Sequence, residues 1–251
     1  MKLINGDCLI EMQNIEDQSI DMILCDLPYG TTACKWDTII PFDKLWEQYK
    51  RIIKRNGVII LFGTQPFTTT LIYSNISMFL YSYVWIKHHK TGHLNAKYRP
   101  MKRHEDVVVF SFEKSKKRKY YPQGLIKINK EMKTSNSHLK RGKKGNETST
   151  VEGRLKDRYI QTHKNYPDDI LNFKSCNNNK LHPTQKPLEL LEYLIKTYTK
   201  EGDFVLDNCM GSGSTIVSCV KLKRQCIGIE KNKEYFEIAK KRILNEINNS
   251  K

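Results

Sequence analysis

The sequence predicts an α/β protein with a largely parallel sheet, because short apolar runs alternate with amphipathic stretches at both ends of the chain. The 251 residues can bury one substantial core and carry one inserted subdomain. The longest apolar runs, 58–62 and 107–110, fall far below the ~20 residues that a membrane span needs. The first residues show no signal-peptide core, so we expect a cytoplasmic protein without membrane association.

The individual elements follow from this pattern. Apolar runs predict strands at 2–5, 21–25, 58–62, 82–87, 107–112, 204–206 and 226–230. Amphipathic spacing predicts helices at 42–55, 66–75, 188–199, 214–222 and 233–246. Pro41 precedes the first helix, and Asn56-Gly57 is predicted to cap its end. Leu191, Leu194 and Tyr198 belong to an apolar stripe on the third.

The central segment, 113–181, lacks this periodicity and is strongly basic. It holds 18 Lys and Arg against 7 Asp and Glu, about two thirds of the chain's formal net charge of +16. Lysines and arginines that neutralise phosphates gain affinity by releasing counterions, so a polyanion is the expected partner. We predict an insertion on the α/β core that serves as a recognition surface.

A glycine turn follows the predicted strand 204–206, as Gly211-Ser212-Gly213 at the start of a helix. A dinucleotide fingerprint would need a third small residue where Ile216 stands, and a phosphate-binding loop would need Lys-Ser/Thr after the glycine. Glu230 ends the next strand, where a carboxylate can take both ribose hydroxyls. The pair favours a nucleoside cofactor without phosphates, such as S-adenosylmethionine, over an ordinary tight turn with a solvent-facing glutamate.

A second turn, Asp26-Leu27-Pro28-Tyr29-Gly30, closes the predicted strand 21–25. Asp26 supplies a carboxylate, Pro28 restrains Leu27 so that its carbonyl points outward, and Tyr29 offers an aromatic face. These groups suit a flipped base with an exocyclic amine, whose two N–H bonds the carboxylate and the carbonyl would accept. The ordinary alternative is a turn with Tyr29 as a half-buried core aromatic.

With both turns placed, the chain resembles the site-specific DNA amino-methyltransferases whose catalytic motif precedes the cofactor motif, the β-type order. The turn at 26–29 is similar to their D-P-P-Y, 182–187 matches their H-P-T-Q-K-P, and 207–215 resembles their D-x-F-x-G-S-G-T-T loop. The match covers roughly 2–112 and 182–245. Leu27 replaces the first proline of the turn, and Cys209 stands where the family usually has phenylalanine, so packing beside the cofactor is expected to be looser.

The resemblance implies a Rossmann-like, S-adenosylmethionine-dependent methyltransferase fold with a mostly parallel, doubly wound sheet. Residues 1–112 would form its catalytic half, 113–181 a basic target-recognition insert and 182–251 its cofactor-binding half. The implied catalytic residues are Asp26, Leu27, Pro28 and Tyr29. The cofactor-binding residues are expected to be Asp7, Cys8, Thr184, Gln185, Lys186, Asn208, Cys209, Met210, Gly211, Ser212, Gly213 and Glu230. Among these, Asp7 would lie by the adenine of the cofactor, and Thr184 to Lys186 by its carboxylate.

Basic residues beside the predicted catalytic half are expected to contact DNA, together with those of the insert. They are Lys87, His88, Lys97, Arg99, Lys102, Arg103, Lys140, Arg141, Lys143 and Lys144. The spacing of His88, His89, His93 and His104 matches no zinc pattern, and the 7 cysteines show no C-x-x-C pair, so we expect reduced thiols and no metal. Trp36, just past the catalytic turn, is a candidate lid residue.

The resemblance favours transfer to N6 of adenine, because the turn begins with Asp and the N4-cytosine branch more often begins with Ser. Methylation of cytosine N4 stays open, as does a catalytically dead scaffold that only binds nucleic acid. RNA or protein amide methylation also remains, although the motif order disfavours it. The sequence gives neither the recognition site nor the oligomeric state, so a homodimer and a cognate restriction endonuclease are both left open.

Overall fold

The computed structural model describes residues 1–30, 37–133, 158–175 and 185–249. The chain divides into two compact units. Met1–Tyr121 and Asp168–Lys251 form the first unit, and Pro122–Pro167 form the second. Among the described residues, no helix has the length and apolar character to cross a membrane.

The strands are β1 (Lys2–Asn5), β2 (Ile20–Cys25), β3 (Ile53–Gly63), β4 (Phe79–Thr91), β5 (Lys102–Phe110), β6 (Ile126–Lys133), β7 (Arg158–Lys164), β8 (Ile170–Asn172), β9 (Phe204–Asp207) and β10 (Gln225–Glu230). The helices are α1 (Cys8–Glu11), α2 (Phe42–Ile52), α3 (Phe67–Ser74), α4 (Leu188–Tyr198), α5 (Ser214–Lys221) and α6 (Lys233–Asn249). Short 3-10 turns lie at Met12–Asn14 and His93–Asn95.

The first unit contains an eight-stranded sheet in the order β1-β10-β9-β2-β3-β5-β4-β8. From β1 to β3 every neighbouring pair is parallel, whereas β5 runs antiparallel to both β3 and β4. In the second unit, β6 and β7 form an antiparallel pair. The predicted α/β class with a mostly parallel sheet is confirmed.

Helices cover both faces of the sheet, as a doubly wound fold requires. Along β2 the side chains alternate: Met22 and Leu24 pack on the face that holds Leu194 of α4, while Ile23 and Cys25 pack on the face that holds Tyr49 of α2. Such two-sided burial explains why these strands lack polar alternation in the sequence.

The predicted helix cap at Asn56-Gly57 is wrong. Helix α2 ends at Ile52, and both residues lie inside β3. A Cβ at Gly57 would stand 2.9 Å from the backbone oxygen of Asp21. Glycine is therefore needed here for a close approach between neighbouring strands and not for a left-handed turn.

Strands β4 and β5 extend further than their apolar runs predict. Gly63, the last residue of β3, pairs with Asp106, and the pairing of β4 with β5 continues outward to Thr91 and Lys102. The added residues are polar and exposed, which is why hydrophobic pattern did not mark them as strand. At ~3.3 Å per residue, the hairpin projects roughly 13 Å past the end of β3.

Candidate active site

A cavity of about 530 Å³ opens at the edge of the sheet where the parallel strands β1, β2, β9 and β10 end. Carboxyl ends of neighbouring parallel strands commonly form the ligand crevice of such folds. The volume suits a nucleoside-sized ligand. The cavity is lined by these predicted site residues: Asp7, Cys8, Asp26, Leu27, Pro28, Tyr29, Gln185, Lys186, Asn208, Cys209, Met210, Gly211, Ser212 and Glu230.

The structure thus brings the two sequence motifs, about 180 residues apart, to one site. Gly213 lies just behind the cavity as the N-cap of α5, with φ of 77°. Thr184, the rest of 182–184 and Trp36 lie outside the described residues.

Asp26 follows the last residue of β2 and faces the cavity half-buried. Its Oδ1 accepts a hydrogen bond of 2.6 Å from the Tyr29 hydroxyl. The turn is closed by Asp37, whose Oδ1 accepts from the backbone N–H groups of Tyr29 at 2.8 Å and Gly30 at 2.9 Å. The Tyr29 ring packs on Phe67 with centroids 4.8 Å apart. The turn therefore holds its shape through side-chain acceptors that the sequence motif did not include.

A chain of alternating buried charges leads away from Asp26. Lys186 donates to Asp26 Oδ2, and its Nζ lies 3.4 Å from Glu105 Oε2. Glu105 is also bonded by Lys87, and Lys186 Nζ sits 4.9 Å from the centre of the Phe62 ring. Lys186 is only 7% exposed, so its charge depends on these partners.

This arrangement sets opposite pKa directions for the two carboxylates. Burial raises the pKa of Asp26 and Glu105 adds to the rise, against the opposing effect of Lys186. Burial also opposes ionisation of Glu105, but Lys186 and Lys87 outweigh it and lower the pKa of Glu105. Although burial disfavours its charge, the Lys186 pKa is raised by Asp26 and Glu105. Glu105 is not among the predicted site residues, although Lys102 and Arg103 just before it are.

On the side of the cavity formed by the ends of β9 and β10, Glu230 holds the glycine turn. Its Oε2 accepts from the Gly211 N–H at 2.9 Å and its Oε1 from the Asn232 N–H at 2.8 Å. Burial raises the pKa of Glu230 despite these bonds. Gly211 has φ of 50°, a left-handed conformation that glycine adopts without strain. The turn is thereby fixed by backbone donors.

Asp7 also lines the cavity, and it caps α1 by accepting from the Leu9 N–H at 3.0 Å. Lys231, which the sequence analysis did not select, donates to Asp7 Oδ2 at 3.0 Å. Burial opposes ionisation, yet Lys231 and the Leu9 N–H lower the Asp7 pKa.

Asp207 and Asn208 also line the cavity, and of the two only Asn208 is among the predicted site residues. Asp207 ends β9 and is 4% exposed, and burial raises its pKa to about 7. Asn208 accepts a 2.6 Å hydrogen bond from the buried Tyr49 hydroxyl. Cys209 contacts Cys8, and the hydrogen bond between them, together with burial, raises the pKa of Cys8. The described cysteines are all free thiols.

The basic residues predicted to bind DNA fall into two groups. His88, Lys97, Arg99, Lys102 and Arg103 are exposed on the projecting part of the β4–β5 hairpin. Lys87 is instead half-buried and bonded to Glu105. Lys140, Arg141, Lys143 and Lys144 lie outside the described residues.

Two carboxylate-bearing strand ends, a glycine turn and one shared cavity on a doubly wound sheet define an α/β enzyme that uses a nucleoside-type cofactor. The chain belongs to the DNA methylase family of N6-adenine and N4-cytosine type, whose family model matches residues 20–241.

Similarity to individual DNA methyltransferases supports the same family assignment. The chain is 30% identical over 260 residues to the type II methyltransferase M.HpaI of Haemophilus parainfluenzae, covering 98% of this chain and 75% of that one. Its fold is similar to that of M1.HpyAVI in complex with S-adenosylmethionine, with TM-score 0.63, 24% identity and coverage of 96% and 98%. It is also similar to that of the cytosine-N4-specific PvuII DNA methyltransferase, with TM-score 0.67, 15% identity and coverage of 98% and 90%. The family resemblance inferred from the sequence is confirmed.

Proposed function

We propose that this protein transfers a methyl group from S-adenosylmethionine to N6 of an adenine that is flipped out of a specific DNA sequence. The main support is the shared cavity, which is lined both by Asp26 and by Gly211 with its hydrogen-bonded partner Glu230. One wall suits a nucleoside cofactor and the other an exocyclic amine.

S-adenosylmethionine is the methyl donor, and the residues present fit it. Glu230 would accept the ribose hydroxyls, and the left-handed Gly211 allows the backbone to approach the ligand closely. Asp7 lies on the same wall, where it would face the adenine. Cys209 leaves more room beside the cofactor than the phenylalanine that the family usually has.

Asp26 and the Leu27 carbonyl would each accept one N–H of the target amine. That nitrogen is a poor nucleophile because its lone pair is delocalised into the ring, and two acceptors in a low-dielectric cavity favour a more tetrahedral geometry. Both oxygens of Asp26 already accept one donor, but a carboxylate oxygen can accept two. Tyr29 lines the cavity and would stack on the flipped base.

Lys186 would keep Asp26 ionised and oriented before the base arrives. Resemblance to the family suggested contact with the cofactor carboxylate, whereas the structure pairs Lys186 with Asp26 and Glu105. A cation held between two carboxylates can stay with Glu105 while Asp26 turns to the amine. This supports a positioning role for Lys186 on the substrate side.

The choice of adenine depends on the aspartate that begins the turn. Methylation of cytosine N4 is the second candidate, since the fold is also that of a cytosine-N4-specific enzyme. The insert at 113–181 would read the recognition sequence. A homodimer and a cognate restriction endonuclease remain compatible with this function.

The decisive experiment identifies the methylated nucleoside. Purified protein is incubated with DNA and S-adenosylmethionine, the DNA is digested, and nucleosides are separated and weighed by mass spectrometry. We expect N6-methyldeoxyadenosine, and N4-methyldeoxycytidine would overturn the base assignment. Absence of both, with no heat of cofactor binding in calorimetry and salt-sensitive DNA binding, would indicate a dead scaffold. Long-read sequencing of DNA from an expression host would then give the recognition sequence.

A further inference from the structure

The projecting end of the β4–β5 hairpin, residues 88–104, has a composition that the proposed chemistry leaves unexplained. We call it the hairpin tip. Every residue from 88 to 100 is exposed, so none of them contributes to the core. The tip contains no Asp or Glu, and its basic residues are Lys90, Lys97, Arg99, Lys102, Arg103 and four histidines at 88, 89, 93 and 104. Such a surface fits a polyanion.

Two large apolar side chains stand among these cations. Leu94 is 84% exposed and Tyr98 is 87% exposed. The backbone of the tip is ordered without them, because Asn95 N–H bonds to Gly92 and both Tyr98 and Arg99 N–H groups bond to the Asn95 carbonyl at 2.9 and 3.0 Å. Leu94 and Tyr98 are therefore two exposed apolar side chains on a polar tip, and folding does not account for them.

The base of the hairpin tip is linked to Asp26 by ion pairs. Glu105, at its base, is linked to Asp26 through Lys186. The antiparallel pairing carries the tip past the carboxyl end of β3, the side on which the cavity opens. A DNA strand whose target base reaches Asp26 would therefore pass the tip.

We propose that Leu94 and Tyr98 insert into the base stack of the DNA at the position that the flipped base leaves. This inference rests on the proposed base flipping. Cations suffice for the phosphates, whereas uncharged apolar side chains gain nothing from phosphate and on DNA are best buried between base steps. Two copies of the tip would repel each other, because each carries only positive charge, so duplex DNA is the occupant that the charges favour.

The test compares two duplexes that contain the sequence methylated in host DNA. In one the target is paired, and in the other it lies opposite an abasic site and is already unstacked. For the double variant Leu94→Ala with Tyr98→Ala, kcat/KM should fall about tenfold or more on the paired duplex, and return nearly to the wild-type value on the unstacked one. Tyr73→Ala is the matched control, since Tyr73 is 83% exposed on α3, outside the tip, and should change neither value.

Fluorescence of 2-aminopurine at the target position supplies a second readout. The rise on binding should be lost in the double variant, whereas Arg99→Gln should weaken binding to both duplexes equally and lessen its salt dependence. An unchanged rate on the paired duplex, or an equal loss on both duplexes, would overturn the proposal. So would sedimentation showing a wild-type dimer that the double variant breaks while flipping persists. If the wild-type protein methylates no DNA, the proposed function itself has failed.

Discussion

Two aspartates, one near the start of strand β2 and one just after its end, both form ion pairs with lysine, but their surroundings differ. Asp21, near the amino end, is bonded at 2.8 Å by both Lys54 and Lys119 and at 2.9 Å by the Phe204 N–H. Asp26, past the carboxyl end, has only Lys186, which it shares with Glu105. Two lysines bond Asp21 directly, although Lys119 is shared with Asp203, whereas one lysine bonds Asp26.

The pKa directions follow from this difference. Burial opposes ionisation of Asp21, but Lys119, Lys54 and the Phe204 N–H lower its pKa. Burial raises the pKa of Asp26 even with Lys186 present. A carboxylate whose negative charge is stabilised by enough donors ties neighbouring elements together. One with fewer donors can still gain from a further N–H donor. The same residue type is therefore structural near the start of β2 and suited to chemistry just after its end.

Replacing Asp26 should produce the largest effect on activity. In Asp26→Ala we expect methyl transfer to fall by about a thousandfold, because an acceptor aimed at the reacting amine is removed. Cofactor binding should be nearly unchanged, since the Glu230 wall does not contact Asp26. Methyl incorporation into DNA and calorimetric titration with S-adenosylmethionine measure the two effects. Asp26→Asn, which keeps the shape and one acceptor, is the control for folding, and substantial residual activity in Asp26→Ala would refute the assigned role.

Replacing Asp21 should instead reduce stability. Asp21→Asn removes the charge and one of the two acceptor oxygens that join β2, the Lys119 segment and β9, and we expect a loss of about 2 kcal/mol in the free energy of unfolding. Activity per folded molecule should be retained at low temperature. Because the folded-state pKa of Asp21 is lowered, the loss is present at neutral pH and disappears as pH falls through that pKa. Urea unfolding at several pH values measures it, and a rate defect without destabilisation would contradict the comparison.

The sequence predicted the strand ends and turns that line the site better than the ion pairs between distant segments. Apolar runs located β2, β9 and β10, and motif spacing selected Asp26 and Glu230, because local pattern determines strand ends and turn chemistry. The pairing of Lys186 with Asp26 and Glu105 was not predictable in this way. It depends on where β5 passes relative to the segment before α4, and such contacts between distant segments have no local signature.

Substituting the shared lysine tests how Asp26 is kept ionised. In Lys186→Met, burial and Glu105 would act on Asp26 without this cation, so its pKa should rise further. Because the ionised form would accept the amine N–H, the acid limb of the kcat/KM profile should move to higher pH. The pH dependence of methyl transfer checks this.

The same variant separates two roles for Lys186. If it binds the cofactor carboxylate, as the family resemblance implied, calorimetry would show weaker S-adenosylmethionine binding while the acid limb stays in place. That result would contradict the proposed role of Lys186 in positioning Asp26.

Asp207 extends the comparison to a buried aspartate that has no lysine among its described partners, and over any single pH unit its effect should be the smallest. Its backbone and hydroxyl donors do not offset burial, which raises the folded-state pKa from the ordinary value of 3.8 to about 7. The folded protein then binds a proton that the unfolded chain has released, so stability should fall as pH rises from about 4 to about 7. Asp207→Asn keeps an acceptor for the Cys209 N–H and cannot ionise. The wild type should therefore lose stability relative to this variant by at most about 1.4 kcal/mol per pH unit across that range in urea unfolding. A stability difference that does not change with pH would show that Asp207 is ionised throughout, and that compensation by lysine is not what distinguishes these aspartates.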